Sequence, residues 1–237
     1  QADLRAAVAA APNSAPAWIA LSNLLYNDTW ELGEAREAAR EAYDNDAFLL
    51  EEAHFVWLCE ISLQLADYEE ARRWCGEGLR RNPGEVRLLL VDLYVLASPG
   101  VAPDPQAAWR RVEEIGRQEF PEYNVPPAEI LAAAVLARGG APDSARAVVT
   151  RARRQVPPEW APYLDYFEAY VRLILDEPDE AVALLGTFLA AAPEYRAVVA
   201  RDVWFEELSG DPAFERIVDR ARLPLFCRIL CEPPPDP

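Results

Sequence analysis

Five alanines, Ala35, Ala71, Ala107, Ala145 and Ala181, fall 36, 36, 38 and 36 residues apart. Acidic or turn residues lead into each of them, as Glu31-Leu32-Gly33-Glu34, Asp67-Tyr68-Glu69-Glu70, Asp104-Pro105-Gln106, Pro142-Asp143-Ser144 and Glu177-Pro178-Asp179-Glu180. A period of this length confines a chain to a stack of similar units, each buried mainly against its neighbours. A proline follows most of the alanines about one helix length later, as Pro83, Pro121, Pro157 and Pro193, with Ala47 in that place in the first unit.

Between one proline and the next alanine, apolar residues recur three or four apart, as in Trp18, Leu21, Leu25 or Phe55, Leu58, Ile61, Leu65. That spacing predicts an amphipathic helix, helix A of each unit. The alanine then starts a second one, helix B, as in Ala71, Trp74, Cys75, Leu79 or Ala181, Leu184, Leu185, Phe188, Leu189. Proline ends it, because proline cannot continue a helix. A small residue belongs where two helices joined by a short turn cross closely. Ala, Leu, Glu and Arg dominate the composition while β-branched residues are sparse, so an all-α protein is expected. The tryptophans Trp18, Trp57, Trp74 and Trp109 fall within the pattern and are expected in the core.

The stretch Ala53 to Pro83, AHFVWLCEISLQLADYEEARRWCGEGLRRNP, resembles one whole repeat of the tetratricopeptide (TPR) family, most specifically in the turn from Ala66 to Ala71. The resemblance runs over about residues 15 to 194 and implies a right-handed α-solenoid of about five TPR-like helix-turn-helix repeats with a C-terminal helical cap. The units are placed at 15–47, 48–84, 85–125, 126–158 and 159–194, after a partial repeat (helix B only) at 1–14. Capping helices at 195–222 and an apolar, then Pro-rich tail at 223–237 follow. The departures are a period near 36 against the family's 34, Cys59 where the family prefers glycine, and a proline-rich insertion from Ser98 to Pro105.

In this family helix A lines the concave groove, which makes Asn23, Tyr26, Asn27, Glu60, Gln64, Arg138, Tyr166 and Tyr170 groove-binding candidates. Tyrosine, asparagine and glutamine suit recognition of an extended peptide or a helix. By the same resemblance Cys59 and Cys75 face each other across a helical hairpin, as a disulfide or as two buried thiols. Cys227 and Cys231 are better spaced to bond another segment or another chain than each other.

The two ends break the period. Asp3 to Pro12 reads as the second half of a helix B with no helix A over it, so Leu4 and Val8 are assembly candidates. Asp211 followed by Pro212 is placed to open a final helix. Beyond it, Leu225, Phe226, Ile229 and Leu230 form an apolar stretch that packs on the last helix or joins another copy. A chain starting at Gln1 without any methionine is expected to be a processed product, an artificially cut form or a fragment of something longer. Export with a processed N-terminus is the localisation it leans to, a cytoplasmic one the alternative.

All 23 basic residues are arginine, against 40 acidic ones, for a net charge of -17. The absence of lysine excludes a P-loop lysine or a Schiff base, and the acidic excess disfavours nucleic acid. The arginines of the B helices, Arg72, Arg73, Arg80, Arg81, Arg110, Arg111, Arg151, Arg153 and Arg154, are expected to pair with acidic neighbours. One histidine, His54, with no nucleophile motif beside it, and Cys-x3-Cys without a second ligand pair point to no catalysis, no cofactor and no metal. The expected function is a non-catalytic scaffold for a protein or peptide. The alternatives are a self-assembling homo-oligomer or extracellular filament, or the regulatory segment of a larger enzyme such as a kinase.

Overall fold

The computed structural model describes residues 1–219, and among them there is no strand. After α1 (Ala2–Ala10), helices come in pairs: α2 (Ala15–Leu24) with α3 (Leu32–Asn45), α4 (Glu52–Gln64) with α5 (Tyr68–Arg81), and α6 (Val86–Ala97) with α7 (Pro105–Ile115). Then follow α8 (Pro121–Arg138) with α9 (Pro142–Arg153) and α10 (Ala161–Ile174) with α11 (Pro178–Ala191). Within each pair the helices pack on each other, and α4, α6, α8 and α10 also pack in succession as an inner layer. The fold is an α-solenoid of paired helices.

The periodic alanines sit where the paired helices cross: Ala35, Ala71, Ala145 and Ala181 are wholly buried. In the third unit that place belongs to Ala108, while Ala107 is only half-buried. The insertion from Ser98 to Pro105 shifts the helix by one residue. Five residues ahead of the other four alanines the backbone turns left-handed, at Trp30 (φ 56°), Ala66 (φ 55°), Gly140 (φ 81°) and Asp176 (φ 61°). In three of these turns the next amide reaches back to the helix A it leaves, Asp67 N to Ser62 O (2.9 Å), Ala141 N to Leu136 O (3.0 Å) and Glu177 N to Arg172 O (2.9 Å). These bonds satisfy carbonyls that a helix end otherwise leaves bare. In the first unit a π-helical turn, Leu25–Thr29, widens the exit.

One expected boundary is corrected. Pro121 does not close a helix B; it opens α8, which runs through Pro126 and Pro127, so a division between residues 125 and 126 would cut a helix. Proline suits a first helical position because the amide there has no intrahelical partner to lose. Pro126 and Pro127 each remove one ladder hydrogen bond, and burial of the helix from Ala128 to Val135 holds it together.

Ion pairs stitch the outer layer. Arg5 meets Glu31 and Glu34 (3.2 and 2.5 Å), Arg36 meets Asp67 (2.8 Å), Arg40 meets Glu70 (2.9 Å) and Arg146 meets Glu177 (2.6 Å). In each case an arginine of one unit reaches the acidic start of the next helix B. Such part-exposed pairs contribute little stability singly, but they fix how units stack. Of the arginines expected to pair, Arg73, Arg80, Arg81, Arg111, Arg151 and Arg153 have carboxylate partners. Arg5 on α1 reaches the start of α3 in the same way that Arg36, Arg40 and Arg146 reach the helix B that follows theirs. Leu4 and Val8, expected to face a partner, instead turn inward onto the cluster of Leu21, Leu25, Tyr26 and Ile61.

Cys59 and Cys75 are joined as a disulfide with Cα atoms 5.3 Å apart, tying α4 to α5 inside the core. Nearby, Gly78 lets α4 and α6 approach α5, since a Cβ there would lie 2.8 Å from Phe55 Cβ and 2.9 Å from Leu88 Cδ2. Trp74 is buried, and Trp18, Trp57 and Trp109 pack partly buried on the core. No helix of the described residues is long and apolar enough to cross a membrane. Leu225, Phe226, Cys227, Ile229, Leu230 and Cys231 lie outside the described residues.

Candidate binding groove

After α11 the chain does not stop at the end of the stack. A 3-10 turn, Pro193–Tyr195, leads into α12 (Arg196–Val199), then a second 3-10 segment, Val203–Leu208, and finally α13 (Pro212–Ile217). Asp211 Oδ1 accepts from the amides of Ala213 and Phe214 and so caps α13, whose Phe214 is wholly buried. Between these anchors, residues 202 to 208 lie across the inner layer of A helices.

The centre of this contact is Trp204. Its indole lies between the rings of Tyr94 on α6 (4.4 Å between centroids, 12° between planes) and Tyr170 on α10 (4.2 Å, 6°). The indole Nε1 donates to Ser98 Oγ (3.0 Å), and that hydroxyl donates to Tyr94 O (2.7 Å). Stacked aromatic rings add attraction beyond the area they bury. Phe205 follows, buried edge-on against Tyr166 at 5.4 Å. Gln64 at the end of α4 accepts a hydrogen bond from Val203 N at 3.3 Å. The A helices of the second, third and fifth units therefore grip one short segment.

Asp202 is fully enclosed, and burial pushes its carboxyl above the usual carboxylate range. Hydrogen bonds donated by Tyr166 Oη to Oδ2 and by Trp204 N to Oδ1 (2.9 Å) act in the opposite sense. A cavity of about 30 Å³ remains between this segment and the first two units, touched by Tyr26, Trp30, Glu60, Gln64, Val198 and Asp202. It has room for about one or two waters and no more.

The eight residues expected to line an open groove have diverse fates. Tyr26, Glu60, Tyr166 and Tyr170 are buried, and Gln64 is half-buried. Tyr26 Oη donates to Glu60 Oε2 (2.9 Å) across the first two units, and Tyr170 Oη donates to Ala97 O (2.9 Å) from the fifth unit to the third. Burial of the Tyr170 phenol raises its pKa. The Arg138 guanidinium donates to the carbonyls of Leu96 (3.2 Å), Pro99 (2.9 Å) and Val101 (2.5 Å), fastening the insertion to the end of α6. Asn23 and Asn27 stand one turn apart, half-buried, each with an enclosed amide oxygen that accepts no hydrogen bond from the described residues. Sequence reasoning missed Tyr94, Ser98 and Trp204. The tyrosine was hidden in an apolar run, and nothing periodic links it to a tryptophan so far along the chain.

His54 has a local duty. Its Nδ1 accepts from Glu51 N at 3.1 Å as part of a capping box at the start of α4, and burial lowers its pKa. Among the described residues, no group of three or more His, Cys, Asp or Glu side chains is placed to hold a metal ion.

The fold and this groove define a helical-repeat solenoid whose inner face is gripped around a segment of its own chain. No protein-family model matches the sequence, and no curated protein matches it. Among solved structures, the chain is similar to YrrB, described as a TPR protein with an unusual peptide-binding site. That match has 18% identity and a TM-score of 0.49, and it covers 80% of this chain and 92% of YrrB. The helix pairing defines the fold independently of that likeness.

Proposed function

We propose that the chain is a non-catalytic scaffold that holds a protein segment against the concave face of its A helices. One observation carries this: Gln64, Tyr94, Ser98, Tyr166 and Tyr170, from three different units, converge on residues 202 to 208 and bind backbone, carboxylate and aromatic ring alike. Peptide-recognising surfaces combine those elements, with main-chain hydrogen bonds for affinity and aromatic pockets for specificity. His54 and the buried carboxylates are occupied in caps and hydrogen bonds, which supports a binding role over covalent chemistry.

A peptide-display selection on the purified protein tests this. Enriched peptides are expected to lose binding on Gln64→Ala while keeping it on Arg72→Ala, which alters the outer face. A selection that enriches nothing, or only peptides indifferent to Gln64, would refute the proposal.

A further inference from the structure

The segment in the groove contains more recognition chemistry than a cap requires. Covering the end of the stack needs contact with α10 and α11 only, and Phe214 on α13 already supplies buried apolar contact there. Yet Val203 reaches Gln64, 139 residues away, and Trp204 reaches Ser98, 106 residues away. A cap is best built from apolar groups, because a buried carboxylate loses more hydration than most pairings restore. Asp202 is nonetheless fully enclosed, with Tyr166, Gln64 and the Trp204 amide around it. These contacts are chemically selective, reading an acid, a backbone amide and an indole in one order.

The ends of the segment are turns. Asp202 N bonds loosely to Val199 O (3.4 Å) at the close of α12, and Gly210 (φ 88°) turns the chain into α13 with open space around it. A rotation at these two turns would lift the segment and leave α12 and α13 in place. Its tether gives it a high effective concentration, so a competitor meets a groove that is mostly closed.

From this we infer that residues 202 to 208, Asp-Val-Trp-Phe-Glu-Glu-Leu, are the internal counterpart of a partner's binding segment. The groove takes a short protein segment of the pattern Asp-x-Trp-aromatic wound as a 3-10 turn, as residues 203 to 208 are, and the chain's own copy closes the site until that segment displaces it. The carboxylate meets Tyr166, the following amide meets Gln64, and the indole enters between Tyr94 and Tyr170. This rests on the proposed scaffold function and names the partner chemistry and the regulation of the same site.

Two measurements on the full chain test it. In hydrogen exchange of the wild type, the amides of residues 203 to 208 should exchange at least ten-fold faster than the interior amides of α10, showing a segment that lifts without unfolding of the stack. In fluorescence anisotropy, a labelled peptide with the sequence of residues 200 to 210 should bind Trp204→Ala at least ten-fold more tightly than wild type. The same peptide with alanine for its tryptophan should not bind. Segment amides that exchange no faster than those of α10 overturn the proposal, and so does a folded Trp204→Ala that binds the peptide no better than wild type. If Trp204→Ala does not fold, the exchange result decides alone. A display selection that enriches Gln64-dependent peptides lacking an indole would leave the scaffold function standing and remove this refinement.

Discussion

Gly140→Ala isolates the energetic cost of the left-handed turn between helices A and B. Gly140 has φ 81°, and an added Cβ would meet no atom within 4 Å, so no clash contributes. A non-glycine residue in the left-handed region costs roughly 1–2 kcal/mol. Alanine recovers roughly 0.4–1 kcal/mol by restricting the unfolded chain. The net expectation is a loss of about 0.5–1 kcal/mol, or about 1–4 °C in a chain of this size. The reverse change, Ala66→Gly at φ 55° in the second unit, should gain a similar amount. Urea denaturation followed by circular dichroism, with calorimetry for the midpoint, measures both. Helix propensity alone predicts the opposite signs, because alanine is the better helix former. A Gly140→Ala variant that is more stable than wild type, or an Ala66→Gly variant that is less stable, would refute the turn argument.

Reduction of the Cys59–Cys75 bond frees a hairpin of sequence separation 16, which should cost about 3 kcal/mol; equal denaturation midpoints for the oxidised protein and a Cys59→Ala/Cys75→Ala double variant would contradict it. Gly78→Ala should destabilise by about 1–3 kcal/mol, since its Cβ meets both Phe55 and Leu88 closer than 3 Å, and a neutral result in the same denaturation assay would show that Leu88 yields freely. The Asp202 carboxyl should titrate above the ordinary carboxylate value, as carboxyl-carbon NMR would show. Because the docked form then binds the proton more tightly than the free form, docking is strongest at low pH and weakens as pH rises through the raised value; Asp202→Asn should remove that dependence. Arg80, then Arg81, hold Glu77 down to about 2; its contribution is present above the usual glutamate range and is lost as pH falls toward that value, and carboxyl NMR that finds Glu77 titrating normally would exclude it.

The paired helices were legible because their causes are local. Alanine spacing, amphipathic period and acidic helix starts each act within about one unit, and four of the five alanines lie at helix crossings. Asp211 before Pro212 also predicts the cap that forms. Proline misled at Pro121, where its ability to begin a helix outweighed its ability to end one. Alanine misled by one residue at Ala107, because the insertion resets the register and leaves Ala108 inside. The groove candidates were found by family position, which places Tyr26, Tyr166 and Tyr170 on helix A but does not say what fills the space before them. The filler comes from residues 202 to 208, and no spacing rule connects those to Gln64 or Ser98.

The long-range bonds also change what kind of object the stack is. A free solenoid is a spring: each turn leans on the next, and pulling or melting one end leaves the rest intact. Here residues 202 to 208 are laid back across the coils, with ties from Val203 to Gln64 and Trp204 to Ser98, and Tyr170 adds a tie from the fifth unit to Ala97 of the third. It behaves as a belt passed through its buckle. The last units cannot unravel until these ties are released, so the protein should yield to force or heat in one large step while the buckle is fastened, and turn by turn once it is open.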